Sequence, residues 1–103
     1  MPTLIVLFDL KPGVRPADYE RWARDVDVPT VKGLRSVDDF RVHRSTGLLT
    51  GDGQPPYAYT EVIEVNDLVL LGEEIAGDTM QGIAAQFREF ADDPVFVIAE
   101  PVV

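Results

Sequence analysis

The chain contains no cysteine and a single histidine, His43. Without cysteine there are no disulfides, no thiolate catalysis and no cysteine-ligated metals. One histidine among scattered carboxylates matches no metal-ligand spacing, so we expect neither a zinc nor an iron site. The sequence also lacks a glycine-rich phosphate loop after a strand and the nucleophile-elbow pattern. These absences leave chemistry that requires no cofactor.

Basic residues are also scarce. Lysine and arginine number 9 against 18 aspartates and glutamates, which gives a formal net charge of −9. This charge repels phosphate backbones and anionic lipid headgroups, and no basic cluster interrupts it. The apolar run Leu4 to Phe8 is too short to span a membrane and lacks the basic flank of a signal peptide. We therefore expect a cytoplasmic protein with neither a nucleic-acid partner nor a membrane partner.

A length of 103 residues with 46% hydrophobic residues suits one domain over residues 1–103. Apolar and β-branched runs predict strands over residues 3–10, 36–44, 57–65 and 95–103. Helical spacing predicts a first helix over 16–27 that ends before Pro29. A second helix is capped at Asp67, breaks near Gly77 and ends before Pro94.

The order βαββαβ is that of the α+β ferredoxin-like fold, in which two helices cover one face of a four-stranded antiparallel sheet. The first strand is apolar at odd and even positions alike, which indicates that the uncovered face is buried as well. At about 25 cal/mol per Å² of apolar surface, exposure of this sheet face to solvent would reduce the stability of the fold by several kcal/mol. We therefore predict a homodimer that packs sheet to sheet through an isologous interface.

Three segments, at 11–42, 55–68 and 87–97, resemble the RedY/HapK-like proteins, which belong to the dimeric α/β-barrel group. The resemblance implies a role in bacterial pathways that make prodiginines and other pyrrole or indole natural products. It therefore implies a small hydrophobic aromatic ligand. Relatives in the wider barrel group include polyketide cyclases, cofactor-free monooxygenases and haem enzymes.

A polar group on the second and third strands is the candidate catalytic site. If the two strands pair around Gly51, His43 lies near Tyr59 and Arg41 lies near Glu61, all on one face. His43 would then move a proton, Glu61 would orient it, and Tyr59 and Arg41 would stabilise negative charge on oxygen. A register slip of one residue would place His43 and Glu61 on opposite faces.

Each of these residues also has a structural interpretation. His43 could be a strand histidine bonded to solvent or to Asp39, and Glu61 could form an ion pair with Arg41. Trp22 could wall a pocket for a flat ligand or could pack in the core.

Other acidic residues carry a weaker signal. Glu61 and Glu64 project to opposite faces of the third strand, so at least one should meet a covered face, where desolvation raises the pKa of a carboxyl. Asp25 and Asp27 lie near the end of the first helix, where negative charge opposes the helix dipole. Something other than helix stability could retain at least one of them, although solvation at the surface is the commoner explanation.

The leading hypothesis is a cofactor-free tailoring enzyme, a cyclase- or lyase-like acid–base catalyst. It would direct the cyclisation, condensation or rearrangement of a pyrrole- or indole-like intermediate. One alternative is a non-catalytic dimer that binds or shields such an intermediate. Another is a cofactor-free monooxygenase.

Overall fold

A computed structural model describes residues 1–103 and shows the ferredoxin-like βαββαβ order that the sequence predicts. The strands are β1 Thr3–Leu10, β2 Val37–Arg44, β3 Tyr59–Val65 and β4 Ala91–Ala99. The helices are α1 Pro16–Trp22, α2 Val28–Lys32, α3 Leu68–Ile75 and α4 Asp78–Phe90, and a π-helical turn at Ala23–Asp27 joins α1 to α2. The strands form one antiparallel sheet in the order β2-β3-β1-β4. No helix has the length and apolarity that crossing a membrane requires.

The first helical region is longer than the sequence predicts. It continues through Pro29 to Lys32, so the expectation that it ends before Pro29 is wrong. Pro29 lies in the first turn of α2, where a missing backbone N–H breaks no helical hydrogen bond. The N–H of Val28 bonds to the carbonyl of Ala23, five residues back, which is the π-helical pattern. The π turn thus lets a new α-helix begin at Val28, immediately before the proline.

The predicted break in the second helical region is confirmed. Helix α3 ends at Ile75 and α4 begins at Asp78, on either side of Gly77. At the start of α3, the carboxylate of Asp67 accepts a 3.0 Å hydrogen bond from the N–H of Leu70. This bond satisfies one of the free donors at the helix N-terminus.

The last strand begins earlier than predicted, at Ala91, and Pro94 lies within it. Its pairing with β1 shifts register between Leu7 and Asp9, and Asp93 has a φ of 45°. Because this irregularity lies on an edge strand, a proline there costs no ladder hydrogen bond.

The two faces of the sheet differ in their environment. On β3 the odd-numbered side chains from Tyr59 to Val65 are buried beneath the helices, whereas Val62 and its even-numbered neighbours face away from them. On that uncovered face Ile5 lies between Val62 and Val97 in the strand register. An apolar patch therefore occupies the centre of the face that no helix covers.

Candidate active site

The register of β2 against β3 differs by one residue from the predicted pairing. His43 lies opposite Thr60, and Arg41 lies opposite Val62. Because neighbouring side chains on a strand alternate between faces, His43 and Arg41 project to the uncovered face while Glu61 projects beneath the helices. The predicted convergence of His43 and Glu61 is therefore wrong within one chain. The long connection between the strands contains no tight turn that fixes the register from the sequence.

On the uncovered face, His43 is exposed and its side chain makes no hydrogen bond within the chain. Arg41 forms ion pairs with Asp39 at 3.3 Å and with Glu64 at 3.8 Å. The predicted Arg41–Glu61 ion pair is therefore absent, and Glu64 takes the place of Glu61 in it.

Tyr59 lies beneath the helices, but its hydroxyl points away from the main cavity, which lies between the sheet and the helices and which Tyr59 does not line. It donates a 2.6 Å hydrogen bond to Glu20, whose carboxylate also accepts a 3.0 Å bond from Arg44. Tyr59, Glu20 and Arg44 line a second cleft, which is more open than the main cavity and lies at the outer edge of β2 and β3.

Trp22 packs against the aromatic core, with its ring centroid 5.3 Å from that of Phe90. Its indole N–H donates a 2.6 Å hydrogen bond to Gln86. Neither Trp22 nor Tyr59 is among the residues that line the main cavity. This placement matches the core-packing interpretation of Trp22.

The main cavity lies between the sheet and the helices and has a volume of about 300 Å³. Of its 16 lining residues, 13 are hydrophobic. The three polar ones are Asp27, Glu61 and Gln81. Ile75 and Phe96 also line it and are 44% and 59% exposed, so they lie at its mouth. The volume and lining suit a small apolar molecule.

Glu61 enters this cavity from β3 and is 4% exposed. Its Oε2 accepts a 3.0 Å hydrogen bond from the hydroxyl of Tyr19. Burial raises the pKa of Glu61 to about 8, and the nearby carboxylate of Asp27 adds to the rise, while the Tyr19 hydrogen bond opposes it. The prediction that one of the two β3 glutamates meets a covered face with a raised pKa is confirmed, and Glu61 is that residue.

Asp27 reaches the cavity because of the π turn. Tyr19, Ala23, Asp27 and Val31 recur at every fourth position, and all four are buried. In an α-helix this spacing would rotate each residue about 40° past the one before, so the series would turn away from the sheet. A π turn takes more residues per turn, which keeps the series on one face.

Asp27 is 4% exposed and makes no side-chain hydrogen bond or ion pair within the chain. Burial raises its pKa to about 7. The one sequence signal for Asp27 was its position, shared with Asp25, near the end of a predicted helix, where an acidic residue is unfavourable. The contribution of Tyr19 had no comparable signal, since an aromatic residue at helical spacing is typical of core packing.

Two carboxyl groups with pKa values near neutrality thus share an apolar cavity. Because burial raises both pKa values toward neutrality, the pair as a whole holds a proton near pH 7. Such a pair can supply a proton donor and a proton acceptor at the same pH.

The fold and this site define a ferredoxin-like α+β protein with a carboxyl pair in an apolar cavity. The chain belongs to the family described as REDY-like protein HapK, which matches residues 2–102. The crystal structure of HapK from Hahella chejuensis is similar, with a TM-score of 0.79 and 28% identity over 99% of this chain and 93% of that one.

Two other solved structures share the fold. An antibiotic biosynthesis monooxygenase has a TM-score of 0.74 and 14% identity, and the match covers 100% of both chains. A dimeric ferredoxin-like protein of unknown function from Thermobifida fusca has a TM-score of 0.74 and 15% identity over 97% of this chain and 90% of that one. No curated protein matches the chain.

Proposed function

We propose that this protein is a cofactor-free acid–base catalyst that acts on a small aromatic molecule in the main cavity. The observation that carries this proposal is the pair of carboxyl groups, Asp27 and Glu61, each 4% exposed in the wall of an apolar cavity. Membership of the REDY-like HapK family supports a pyrrole- or indole-like substrate. The reaction class is a cyclisation, condensation or rearrangement.

These reactions add a proton at one position of the substrate and remove one from another, with no net oxidation. Glu61 is the proton donor, because its pKa of about 8 keeps it protonated at neutral pH. Asp27, with a pKa of about 7, is the acceptor. Proton transfer by positioned groups contributes about 10²- to 10⁴-fold to a rate. The apolar walls contribute by holding the substrate in a reactive conformation.

This proposal keeps Glu61 from the sequence-based site and replaces His43 with Asp27 as its partner. His43 and Arg41 lie on the other face of the sheet, so the proposal assigns them no proton transfer in this cavity. Tyr59 and Trp22 remain sequence-based predictions as ligand contacts, and both lie behind the cavity wall.

We also propose that the protein is a homodimer that buries the uncovered face of the sheet. The apolar patch formed by Ile5, Val62 and Val97 supports this arrangement, and the Thermobifida fusca neighbour is described as dimeric. Burial of such a face is worth about 25 cal/mol per Å² of apolar surface. The cytoplasmic location predicted from the sequence stays a prediction.

The catalytic proposal can be tested before the natural substrate is known, by hydrogen–deuterium exchange at C3 of indole in heavy water. Glu61 delivers a deuteron to C3, the original proton leaves C3 for the Asp27 carboxylate, and the ring regains its aromaticity. We expect the protein to accelerate this exchange, as followed by proton NMR. We expect Glu61→Gln to lower the protein-catalysed rate by about 10²-fold or more.

The matched control is Glu73→Gln, because Glu73 is an exposed glutamate on α3 outside the cavity. Loss of exchange in Glu61→Gln but not in Glu73→Gln supports the proposal. Equal exchange with and without the wild-type protein overturns it.

The second candidate function is a non-catalytic protein that binds or shields its ligand. The lining of the cavity favours this alternative, because 13 of its 16 residues are hydrophobic. Apolar contacts of this kind suffice for binding a ligand, whereas proton transfer depends on the polar residues. Indole binding that is unchanged in Glu61→Gln, together with no exchange in wild type, would establish it. The likeness to a monooxygenase is one of fold, and oxygen consumption with indole or pyrrole substrates tests that activity directly.

A further inference from the structure

The charges inside the cavity are all of one sign. Asp27 and Glu61 are the only ionisable residues that line it, and Gln81 is the only other polar one. No lysine, arginine or histidine reaches it from any of the surrounding elements. A ligand with a carboxylate or phosphate would therefore meet like charge in a medium where repulsion is strong.

The two carboxyl groups also have unused hydrogen-bonding capacity. A carboxylate can accept about four hydrogen bonds. Glu61 accepts one, from Tyr19, and Asp27 accepts none from any side chain or backbone N–H. The Asp27 oxygens open into the cavity and are not fully enclosed, because the Ser36 Oγ is the one fully enclosed side-chain atom that has no partner. The partner that Asp27 lacks within the chain is therefore a candidate for what the ligand supplies.

We infer that the ligand of this cavity carries a positively charged nitrogen, such as an amine, amidine or iminium group, which it places against Asp27 and Glu61 while its apolar body fills the rest. A charged N–H donor bonds to the free acceptor oxygens and neutralises the single negative charge that the pair carries near pH 7, when one of its two carboxyls is protonated. This inference rests on the proposed function in that both use the same cavity, and it adds the charge of the substrate.

A metal ion fits this site less well than an organic cation. Calcium takes six to eight oxygen ligands and magnesium takes about six, counting waters. The cavity lining offers two carboxyl groups and the Gln81 amide, surrounded by apolar side chains, and the Tyr19 hydroxyl behind it is already bonded to Glu61. Those apolar walls would contact the hydrocarbon part of an organic ligand. The net charge of −9 also attracts cations toward the molecule as a whole.

The test compares two indoles of nearly the same shape, tryptamine and tryptophol, which differ in an ammonium and a hydroxyl group. Calorimetric titration of the wild-type protein near pH 8 gives both dissociation constants. We expect tryptamine to bind about tenfold more tightly or better, the range of a hydrogen bond to a charged group. The preference should persist in about 0.5 M salt, because a buried pair is screened far less than surface charge.

Two variants assign the preference to the cavity. Asp27→Asn keeps the shape of the side chain and removes its charge, so we expect the tryptamine preference to fall several-fold. Asp25→Asn is the matched control, since Asp25 lies on the same π turn but is exposed and paired with Arg24. We expect the control to keep the wild-type preference.

Equal affinities of wild type for the two indoles would overturn the inference, and so would a preference that is lost equally in both variants or disappears in salt. The indole-exchange experiment separates this result from the catalytic proposal. A tryptamine preference without exchange supports the charge inference and overturns catalysis. Exchange without a tryptamine preference supports catalysis and overturns the charge inference.

Discussion

Tyr19 and Glu61 are joined by a hydrogen bond of 3.0 Å that connects positions 42 residues apart in the chain. Neither side chain has another hydrogen-bond partner within the protein. The bond favours the charged form of Glu61 and therefore opposes the rise in its pKa that burial causes. Tyr19 thus positions and tunes the proposed proton donor.

Removing the hydroxyl by Tyr19→Phe should raise the pKa of Glu61 above its wild-type value of about 8. The reason is that the phenol stabilises the carboxylate and not the carboxylic acid. A ¹³C NMR titration of the glutamate side-chain carboxyl carbons measures this pKa directly. If the titration curve of Glu61 does not move, Tyr19 serves packing alone.

Asp27 should make stability depend on pH. Its pKa rises from 3.8 to about 7 on burial, so the folded state binds the proton more tightly than the unfolded state. Its favourable contribution is therefore complete below about pH 4 and is lost as pH rises to about 7. Asp27→Asn removes this loss, so the variant should gain stability over wild type across that range, by on the order of 1–4 kcal/mol.

Urea unfolding of wild type and Asp27→Asn at several pH values measures this difference. Asp25→Asn provides the comparison, because Asp25 is exposed and burial does not act on its carboxyl. A stability difference between Asp27→Asn and wild type that stays constant with pH would show that the Asp27 carboxyl is not desolvated in the folded protein.

The hydroxyl of Tyr59 is expected to matter for stability and not for the cavity. Tyr59→Phe removes its bond to Glu20 and should cost about 1 kcal/mol. For a domain of this size that lowers the melting temperature by roughly 4–8 °C. Tryptamine affinity should match that of wild type, and a marked fall in affinity would return Tyr59 to the ligand contacts that the sequence predicts.

His43→Ala distinguishes the sequence-based site from the structural one. Because His43 lies on the face opposite the cavity, the indole-exchange rate should stay within about twofold of wild type, the usual range for a surface substitution. A loss as large as that in Glu61→Gln would restore His43 as the catalytic base. Such a loss would require the second protomer to bring His43 to the site.

The proposed homodimer depends on the apolar patch around Ile5. Ile5→Lys places a charge at its centre and should yield monomers, as measured by light scattering during size-exclusion chromatography. Val69→Lys is the control, since Val69 is 76% exposed on α3, away from the uncovered sheet face. A dimer that survives Ile5→Lys would exclude sheet-to-sheet packing.

The fold could be predicted from local patterns, because strand and helix signals here are strong and their order allows few topologies. The break at Gly77 followed from residue chemistry in the same way. The strand register could not be predicted in this way, because it depends on pairing between residues that are distant in sequence. A slip of one residue moves every side chain of the strand to the opposite face of the sheet. That slip separated His43 from Glu61. Asp27 was missed for a different reason, because a π turn and not an α-helix brings it to the site.

The π turn makes the placement of Asp27 depend on the number of residues before it as well as on their identity. Removing one residue between Ala23 and Asp27 would convert the turn to α-helix and change the direction in which the carboxyl points. The proposed catalytic pair can thus be gained or lost by a one-codon insertion or deletion in a segment whose residues 24–26 are exposed. A chain with such a deletion would keep the sheet and the cavity but would lose the second acid from the cavity wall.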